Sequence, residues 1–519
     1  RAPRAQENTM NAAIALALAM TAQPGSDELK QALEQIEALR VQNERLASKV
    51  EGLERRVAED EGAWITEERA AEIRAIVSDV LADGATRASL AADGATAGWD
   101  KSKGFFLASA DGNYTLAMKG EIQFRWMFDS RDIGATAAAS GSPSSSTDGD
   151  AWGFEFRRAR LTFSGSVVDP SWTYEVKLST NRNATSSNNA YLDDAWIAKS
   201  LGDGYSLKMG QFPAPFMREQ LQSAFGQLTI ERSLVNEVFS VFKPQGIELS
   251  WTGETVRVSG FYGDTMQAKA TEPYAVSGSS AAPFNAGAAQ AVASSQNSSL
   301  GNNPSDYAFA SRIEWKPEGE WKQFKQASSF RGDGAGTLLG IAAYAQGLPE
   351  VSGTNGATPD TMWSATVDGT LMFGGANIFV MGVMRSVTLQ DAQPVRGGGT
   401  DDSLSQWGAL VQGGVFVADD LELFARYEIG STDTDQYRVQ ATSLEANGDD
   451  LSLLTIGANW WPAGAKYRNI KISGDFGYAF DPMVDFAGTG AGWLTDYTEE
   501  GGETSEGQWL VRTQLQFQF

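Results

Sequence analysis

The stretch YTLAMKGEIQFRWMF, residues 114–128, decides the fold. Every second position is apolar or glycine (Tyr114, Leu116, Met118, Gly120, Ile122, Phe124, Trp126, Phe128), while the alternate set holds Lys119, Glu121, Gln123 and Arg125. A period of two puts successive side chains on opposite faces of a strand, and a face with that many aromatics is unsuited to water. The stretch WLVRTQLQFQF, residues 509–519, repeats the pattern, with Trp509, Val511, Thr513, Leu515, Phe517 and Phe519 opposite Arg512, Gln514, Gln516 and Gln518. One face fits lipid and the other fits water.

Working outward from these two, similar segments recur near 152–166, 171–179, 190–198, 204–212, 246–251, 255–263, 306–316, 336–346, 362–373, 376–387, 405–417, 421–429, 451–461 and 469–480. About sixteen strands result, an even number, and the predicted fold is an all-β transmembrane barrel of antiparallel strands with an N-terminal α-helical arm. Connection lengths agree, since such barrels alternate short periplasmic turns with long external loops. Val168-Asp169-Pro170, Gly202-Asp203-Gly204, Thr252-Gly253-Glu254, Gly374-Gly375-Ala376 and Ala418-Asp419-Asp420 are short, whereas 129–151, 264–304, 388–404, 430–450 and 481–506 are long and rich in Gly, Ser and Asp. The link 317–335 breaks the rhythm, being long where a short turn belongs. A water-soluble sandwich or propeller is the competing architecture, and the aromatic strand ending in Phe519 argues against it.

Composition narrows the chemistry. The 519 residues include Cys 0 and His 0, which removes disulfides, Cys/His metal sites and every nucleophile that needs a cysteine or an imidazole base. No carboxylate pair stands out for hydrolysis, so the chain reads as non-enzymatic. A net charge of -24 repels nucleic acid. No uninterrupted apolar run approaches the ~18 residues of a membrane-spanning helix, leaving alternation as the route to lipid contact.

The N-terminal hundred residues have a helical period. Residues 1–25 hold the apolar run Ala12 to Met20 followed by Thr21-Ala22-Gln23-Pro24, which reads equally as an export signal or as a retained helical lead-in. Over 26–60 the seam recurs by sevens, with Leu29, Ile36, Asn43, Val50 and Val57 at a and Ala32, Leu39, Leu46 and Leu53 at d, a coiled coil that implies an oligomer. Asn43 in that seam costs stability and fixes register and parallel pairing. Residues 61–104 read as an amphipathic helix from Thr66, presenting Ala70, Ile73, Ile76, Val77 and Val80, and then a turn-rich linker. The barrel is assigned 105–519.

Several blocks carry a resemblance. Arg157-Arg158-Ala159-Arg160-Leu161-Thr162-Phe163, Leu192-Asp193-Asp194-Ala195-Trp196, Lys208-Met209-Gly210-Gln211-Phe212, Ile230-Glu231-Arg232-Ser233-Leu234-Val235 and Gly246-Ile247-Glu248-Leu249 occur together and in order, and resemble those of the phosphate-selective porin (porin O and P) family. The resemblance covers about 105 to 519 and leaves the coiled coil outside. It implies a trimer of sixteen-stranded outer-membrane barrels that pass small solutes, with the third external loop folded inward as a constriction. Here that loop is Pro213 to Pro244, the long link rich in apolar and helix-forming residues.

The resemblance also implies selectivity from basic residues along the pore. Alternation turns Arg158 and Arg160 inward, with Arg125, Lys177, Lys208, Arg257, Arg312 and Arg512 as further pore-lining candidates, and the same residues also balance the lumenal acids Glu121, Glu175, Glu248, Glu314, Glu422 and Glu428. In the constriction loop Arg218, Arg232 and Lys243 face Glu219, Glu231 and Glu237, a net of zero that departs from a strongly basic channel. Mild anion preference without a tight phosphate site is therefore expected. No cofactor is called for. The acidic loops, 481–506 above all with Asp481, Asp485, Asp496, Glu499, Glu500, Glu503 and Glu506, read as solvated, with divalent cations as the alternative occupant. Arg331-Gly332-Asp333 falls in a periplasmic link and reads as chance.

The expected protein is a diffusion porin of the bacterial outer membrane with its N-terminal arm in the periplasm. Its expected partners are two further copies of itself in a homotrimer, outer-membrane lipids, small hydrophilic or anionic solutes, and the cell wall through the coiled coil. A structural tether or a barrel-based surface adhesin is the alternative.

Overall fold

The computed structural model describes residues 94–100, 104–131, 150–180, 190–264, 305–348, 359–395, 398–434, 436, 449–464, 467–481, 492–494 and 507–519, together with Glu37, Val41, Arg45, Ser48 and Lys49. The coiled-coil seam, the helix expected from Thr66 and most acids of the 481–506 loop lie outside the described residues. Contacts divide the chain into residues 1–92 and 93–519, and the second unit holds all the strands among the described residues.

In chain order these are β1 (Thr96–Asp100), β2 (Gly104–Ala108), β3 (Thr115–Ser130), β4 (Ala151–Val167), β5 (Asp169–Thr180), β6 (Ala190–Gly202), β7 (Tyr205–Gln211), β8 (Gln245–Thr252) and β9 (Val256–Gly263). After them come β10 (Tyr307–Glu318), β11 (Gly336–Gly347), β12 (Pro359–Met372), β13 (Ala376–Pro394), β14 (Thr400–Ala418), β15 (Leu421–Ser431), β16 (Asp450–Trp460), β17 (Ile470–Ala479) and β18 (Trp509–Gln518). Two short helices, α1 (Arg218–Leu221) and α2 (Leu234–Phe239), lie between β7 and β8. Each strand from β3 to β18 pairs antiparallel with the next, and β18 returns to β3 from Glu121↔Gln518 to Ser130↔Trp509. The result is a closed sixteen-stranded barrel whose staves are the sixteen segments read from alternation. Closure removes the unpaired edges that an open sheet presents.

The seam closes at the last residue. Gly120 N–H donates to the Phe519 carbonyl at 2.8 Å and Phe519 N–H to the Gly120 carbonyl at 3.0 Å. The Phe519 ring lies across Gly120, where an added Cβ would sit 2.1 Å from Cζ of the ring, so the apolar alternation of β3 breaks to glycine there. Beyond Phe519 the remaining edge of β3 pairs with β2 (Phe105↔Met118 to Ala108↔Thr115), and β1 covers β2. Periodicity announced neither strand of this hairpin; β1 falls in the stretch read as linker and β2 at the start of the assigned barrel.

Burial inverts the usual arrangement. Along β10, Tyr307, Phe309, Ile313 and Trp315 are exposed while Arg312, Glu314 and Lys316 are buried. An outer face of this kind, which includes Trp152, Phe154 and Phe156 at 60–69% exposure, needs an apolar surrounding. Two bulges interrupt the alternation. In β4 the register shifts between Gln123↔Arg158 and Phe124↔Phe156, and in β6 between Lys177↔Asp194 and Leu178↔Leu192. The extra residues, Arg157 and Asp193, turn inward beside Arg158 and Asp194.

Two connections differ from expectation. The link 388–404 is largely strand, because β13 and β14 stay paired through Thr388↔Ser403 and resume at Gln393↔Asp401, so the Gly-rich tip is confined to its end. The link after β10 folds into the barrel, burying Phe324, Ala327, Ser328, Ser329 and Phe330. Its Arg331-Gly332-Asp333 stretch makes a turn in which Phe330 and Asp333 exchange hydrogen bonds, Gly332 has φ +84°, and Arg331 donates to the Phe416 carbonyl at 2.6 Å.

Candidate functional site: a partitioned, charged lumen

The segment between β7 and β8 runs into the barrel and is almost wholly buried; Phe216, Met217, Leu228, Leu234, Val235 and Phe239 have 0–1% exposure. Ser233 caps α2 by accepting from Asn236 N–H at 2.9 Å, and Ser223 caps a further helical turn at Ala224–Gly226. A loop buried this way must find partners for its backbone carbonyls. The inward faces of the staves supply them. Arg312 donates to the Phe216 carbonyl (2.8 Å), Gln516 to Phe225 (2.8 Å), Lys471 to Gln227 (2.9 Å), Asn459 to Leu228 (2.7 Å), Arg426 to Glu231 (3.1 Å) and Arg385 to Val238 (3.1 Å). Hydrogen bonds to charged donors contribute about 1.5–3 kcal/mol each. Together with the neutral Asn459 and Gln516, the donors of β13, β15 and β17 hold the loop's backbone to one arc of the barrel, while Arg312 of β10 holds its start from the cavity side.

Glycines on β14 let it approach. A Cβ at Gly408 would stand 2.7 Å from Val235 Cγ1, and one at Gly414 would stand 2.9 Å from Leu228 Cδ1. Apolar packing continues the contact, with Phe216 edge-on to Tyr344 at 4.9 Å.

The loop's own charges are used in docking. Glu231 accepts from Arg158 (Nη2 at 3.0 Å), from Arg125 (Nη1 at 2.7 Å) and from Arg157. Burial alone would raise the Glu231 carboxyl, but Arg157, Arg158 and Arg125 together hold it well below the usual carboxylate range. Glu219 meets Arg426 at 3.0 Å and also accepts from Ser233. Arg218 reaches Glu314 at 3.3 Å, Lys243 reaches Asp194 at 3.1 Å and also pairs with Asp193, and Arg232 donates to the carbonyls of Glu219 (2.9 Å) and Gln222 (2.8 Å). Glu237 is buried in α2.

The other candidates fall in two groups. Arg125 and Arg512 are buried, the first on Glu155 and the loop's Glu231, the second on Asp475 at 2.8 Å. Arg158, Arg160, Lys177, Lys208, Arg257 and Arg312 border open space on the opposite side of the lumen. Arg160 pairs with Asp193 (3.1 Å), Lys177 with Asp194, Lys208 with Glu248 (3.6 Å), Arg257 with Glu314 (3.2 Å) and Arg312 with Asp368 (2.8 Å).

That open space comprises two cavities. One of about 590 Å³ lies between the loop and β3–β7, with seven basic side chains (Arg157, Arg158, Arg160, Lys177, Lys208, Arg232, Lys243) against five acids (Glu121, Glu175, Asp193, Asp194, Glu237). Another of about 520 Å³ lies between the loop and β7–β11, with Lys208, Arg218, Arg257, Arg312 and Lys325 against Glu248 and Glu314. Lys208, Pro213, Leu221 and Ser223 border both. Arg157, displaced inward by its bulge, was missed by alternation, whereas Arg385, Arg426 and Lys471 stand at inward positions where alternation places them.

Among known proteins, a family profile described as "Phosphate-selective porin O and P" matches residues 141–340, within the sixteen-stranded barrel. No curated sequence matches the chain. Among solved structures it is similar to an anion-selective porin from Comamonas acidovorans (10% identity, 78% of this chain and 100% of that one, TM-score 0.46). It is also similar to the outer membrane channel DcaP of Acinetobacter baumannii (11%, 78% and 98%, 0.45) and to outer-membrane expressed OmpT of Vibrio cholerae (12%, 78% and 98%, 0.43).

Proposed function

We propose that the chain is a non-enzymatic diffusion porin of the bacterial outer membrane, passing small hydrophilic solutes with a mild preference for anions. The observation that carries the reading is the partition: the loop's backbone is held by β13 and β15–β18, and the space left beside β3–β11 is bordered by more basic than acidic side chains. Acids on external loops stand in bulk electrolyte, where the screening length is ~8 Å. Lumenal charges act at close range under low-dielectric walls, which focus their field on a passing solute. The narrow region therefore governs selectivity. A tight phosphate site is not part of the reading, because Arg160, Lys177, Lys208, Arg257 and Arg312 each already have an acidic partner.

The test is single-channel conductance and reversal potential in a planar bilayer under a salt gradient. The parent channel should favour anions, and Arg158→Ala/Arg160→Ala should shift it toward cations, since two positive charges leave while Glu231 and Asp193 remain. A silent protein, a cation-preferring parent, or an unchanged double variant would refute the reading. The heptads at 26–60 add a tethering role, with three copies joined along their barrel walls and the arm reaching toward the cell wall.

A further inference from the structure

The connection between β10 and β11 enters the lumen from the short-turn end, opposite to the mouth from which the constriction loop descends. The two meet inside. Ala327 N–H donates to the Gly226 carbonyl at 2.7 Å, and both Arg218 and Gln222 of the loop donate to the Phe324 carbonyl. The connection is anchored at its far end, where the Phe330 ring packs against Phe416 and Trp461, each at 4.8 Å, with the Arg468 guanidinium 3.6 Å over its centre. Segments from opposite mouths thus form one continuous partition. On its open side Trp321, Phe324 and Lys325 border the cavity on the short-turn side of the loop. Lys325 is exposed and has no ion pair among the described residues, whereas Arg218 and Arg257 facing the same space are paired with Glu314.

We infer that residues 319–335 are a second selectivity element, which with the constriction loop confines the solute path and sets the width and charge of its short-turn exit. This rests on the porin reading and adds to it a determinant outside the constriction loop. A solute leaving the space bordered by Arg218 and Arg257 toward the short-turn end passes Lys325 and Trp321, which border the same cavity where the two segments join. The solute class is a small anion.

The absence of cysteine makes a single thiol a clean probe. Lys325→Cys, in the full-length protein, is reconstituted and treated with a sulfonate-bearing methanethiosulfonate. Conductance should fall in a step and the reversal potential should move toward cations. An ammonium-bearing reagent should restore the charge preference while still lowering conductance. Lys322→Cys, exposed on the same link but outside the cavity border, should react without either change. A Lys325→Cys channel that is labelled, by mass, yet conducts as before would overturn the inference, as would an equal response from Lys322→Cys. A silent parent protein would overturn the porin reading, and this inference with it, so the two failures are distinguishable.

Discussion

Arg158 Nη2 lies 3.0 Å from Glu231 Oε2, joining a stave of the barrel to the constriction loop through two buried side chains. Arg125 and Arg157 converge on the same carboxylate. One loop acid is therefore shared by three wall arginines, and Glu231→Gln removes that common partner, leaving Arg125 on Glu155 and Arg157 and Arg158 without it. Removing one partner of a buried ion pair costs about 3–5 kcal/mol, here spent in loosening the loop near β3 and β4. Anion preference should rise and open-channel noise should increase. Reversal potentials and current variance measure both; a shift toward cations would show that Glu231 does not hold these charges.

The same site sets a pH dependence. Glu231 is held well below its ordinary value by Arg157, Arg158 and Arg125 against the effect of burial. A depressed carboxyl contributes stability that is complete above its unfolded pKa, about 4.3, and is lost as pH falls through the folded value. The loop anchor should therefore survive the whole range from pH 7 to about 4.3 and weaken only in stronger acid. Single-channel noise recorded stepwise across that range should stay flat, and an onset above the ordinary carboxylate range would contradict the anchor.

How much of this was legible in the sequence depends on whether a feature is local. Period-two alternation announces all sixteen staves because the outward face must be apolar at nearly every turn of the pleat, as β10 illustrates from Tyr307 to Trp315. Arg157 and Asp193 were illegible because a bulge is a property of a strand pair, set by what lies opposite in β3 and β5. The in-folded link did carry a signal, since Trp321, Phe324 and Phe330 are too apolar for an exposed turn, but nothing in the sequence says which cavity receives them. The charge-balanced constriction loop was readable as composition. That its charges are consumed by wall partners as far away in sequence as Arg426 required the closed barrel.

Gly408 gives the loop its closest approach to β14. A Cβ there would stand 2.7 Å from Val235 Cγ1 and 3.1 Å from Phe239 Cε2, both in α2, and α2 is already held by Arg385 and Glu428. Gly408→Val has no room without displacing the helix away from β14, into the open side of the lumen. Conductance should fall while the barrel stays folded and resistant to detergent. Equal conductance, with heat-modifiable mobility like the parent's, would mean that α2 does not border the conducting path.

Assembly gives the last test. Staves β7, β8 and β9 have 7, 8 and 8 residues, fewer than the ~9–11 with which a tilted strand crosses lipid alone. A neighbouring copy against this wall would cover what the bilayer fits poorly, and Leu249, at 51% exposure on the outer face of β8, is a probe of it. The detergent-extracted protein should have the native mass of three copies, and Leu249→Arg should reduce it; a monomeric or dimeric parent would sink the trimer. The heptads allow the arm and the barrel to be separated. Deleting residues 26–60 removes the seam from Leu29 to Val57 and none of the residues that make the lumenal contacts described above, so conductance per channel should match the parent while co-sedimentation with the cell wall falls. Undiminished sedimentation would assign wall attachment elsewhere, and altered conductance would mean that the arm reaches the pore.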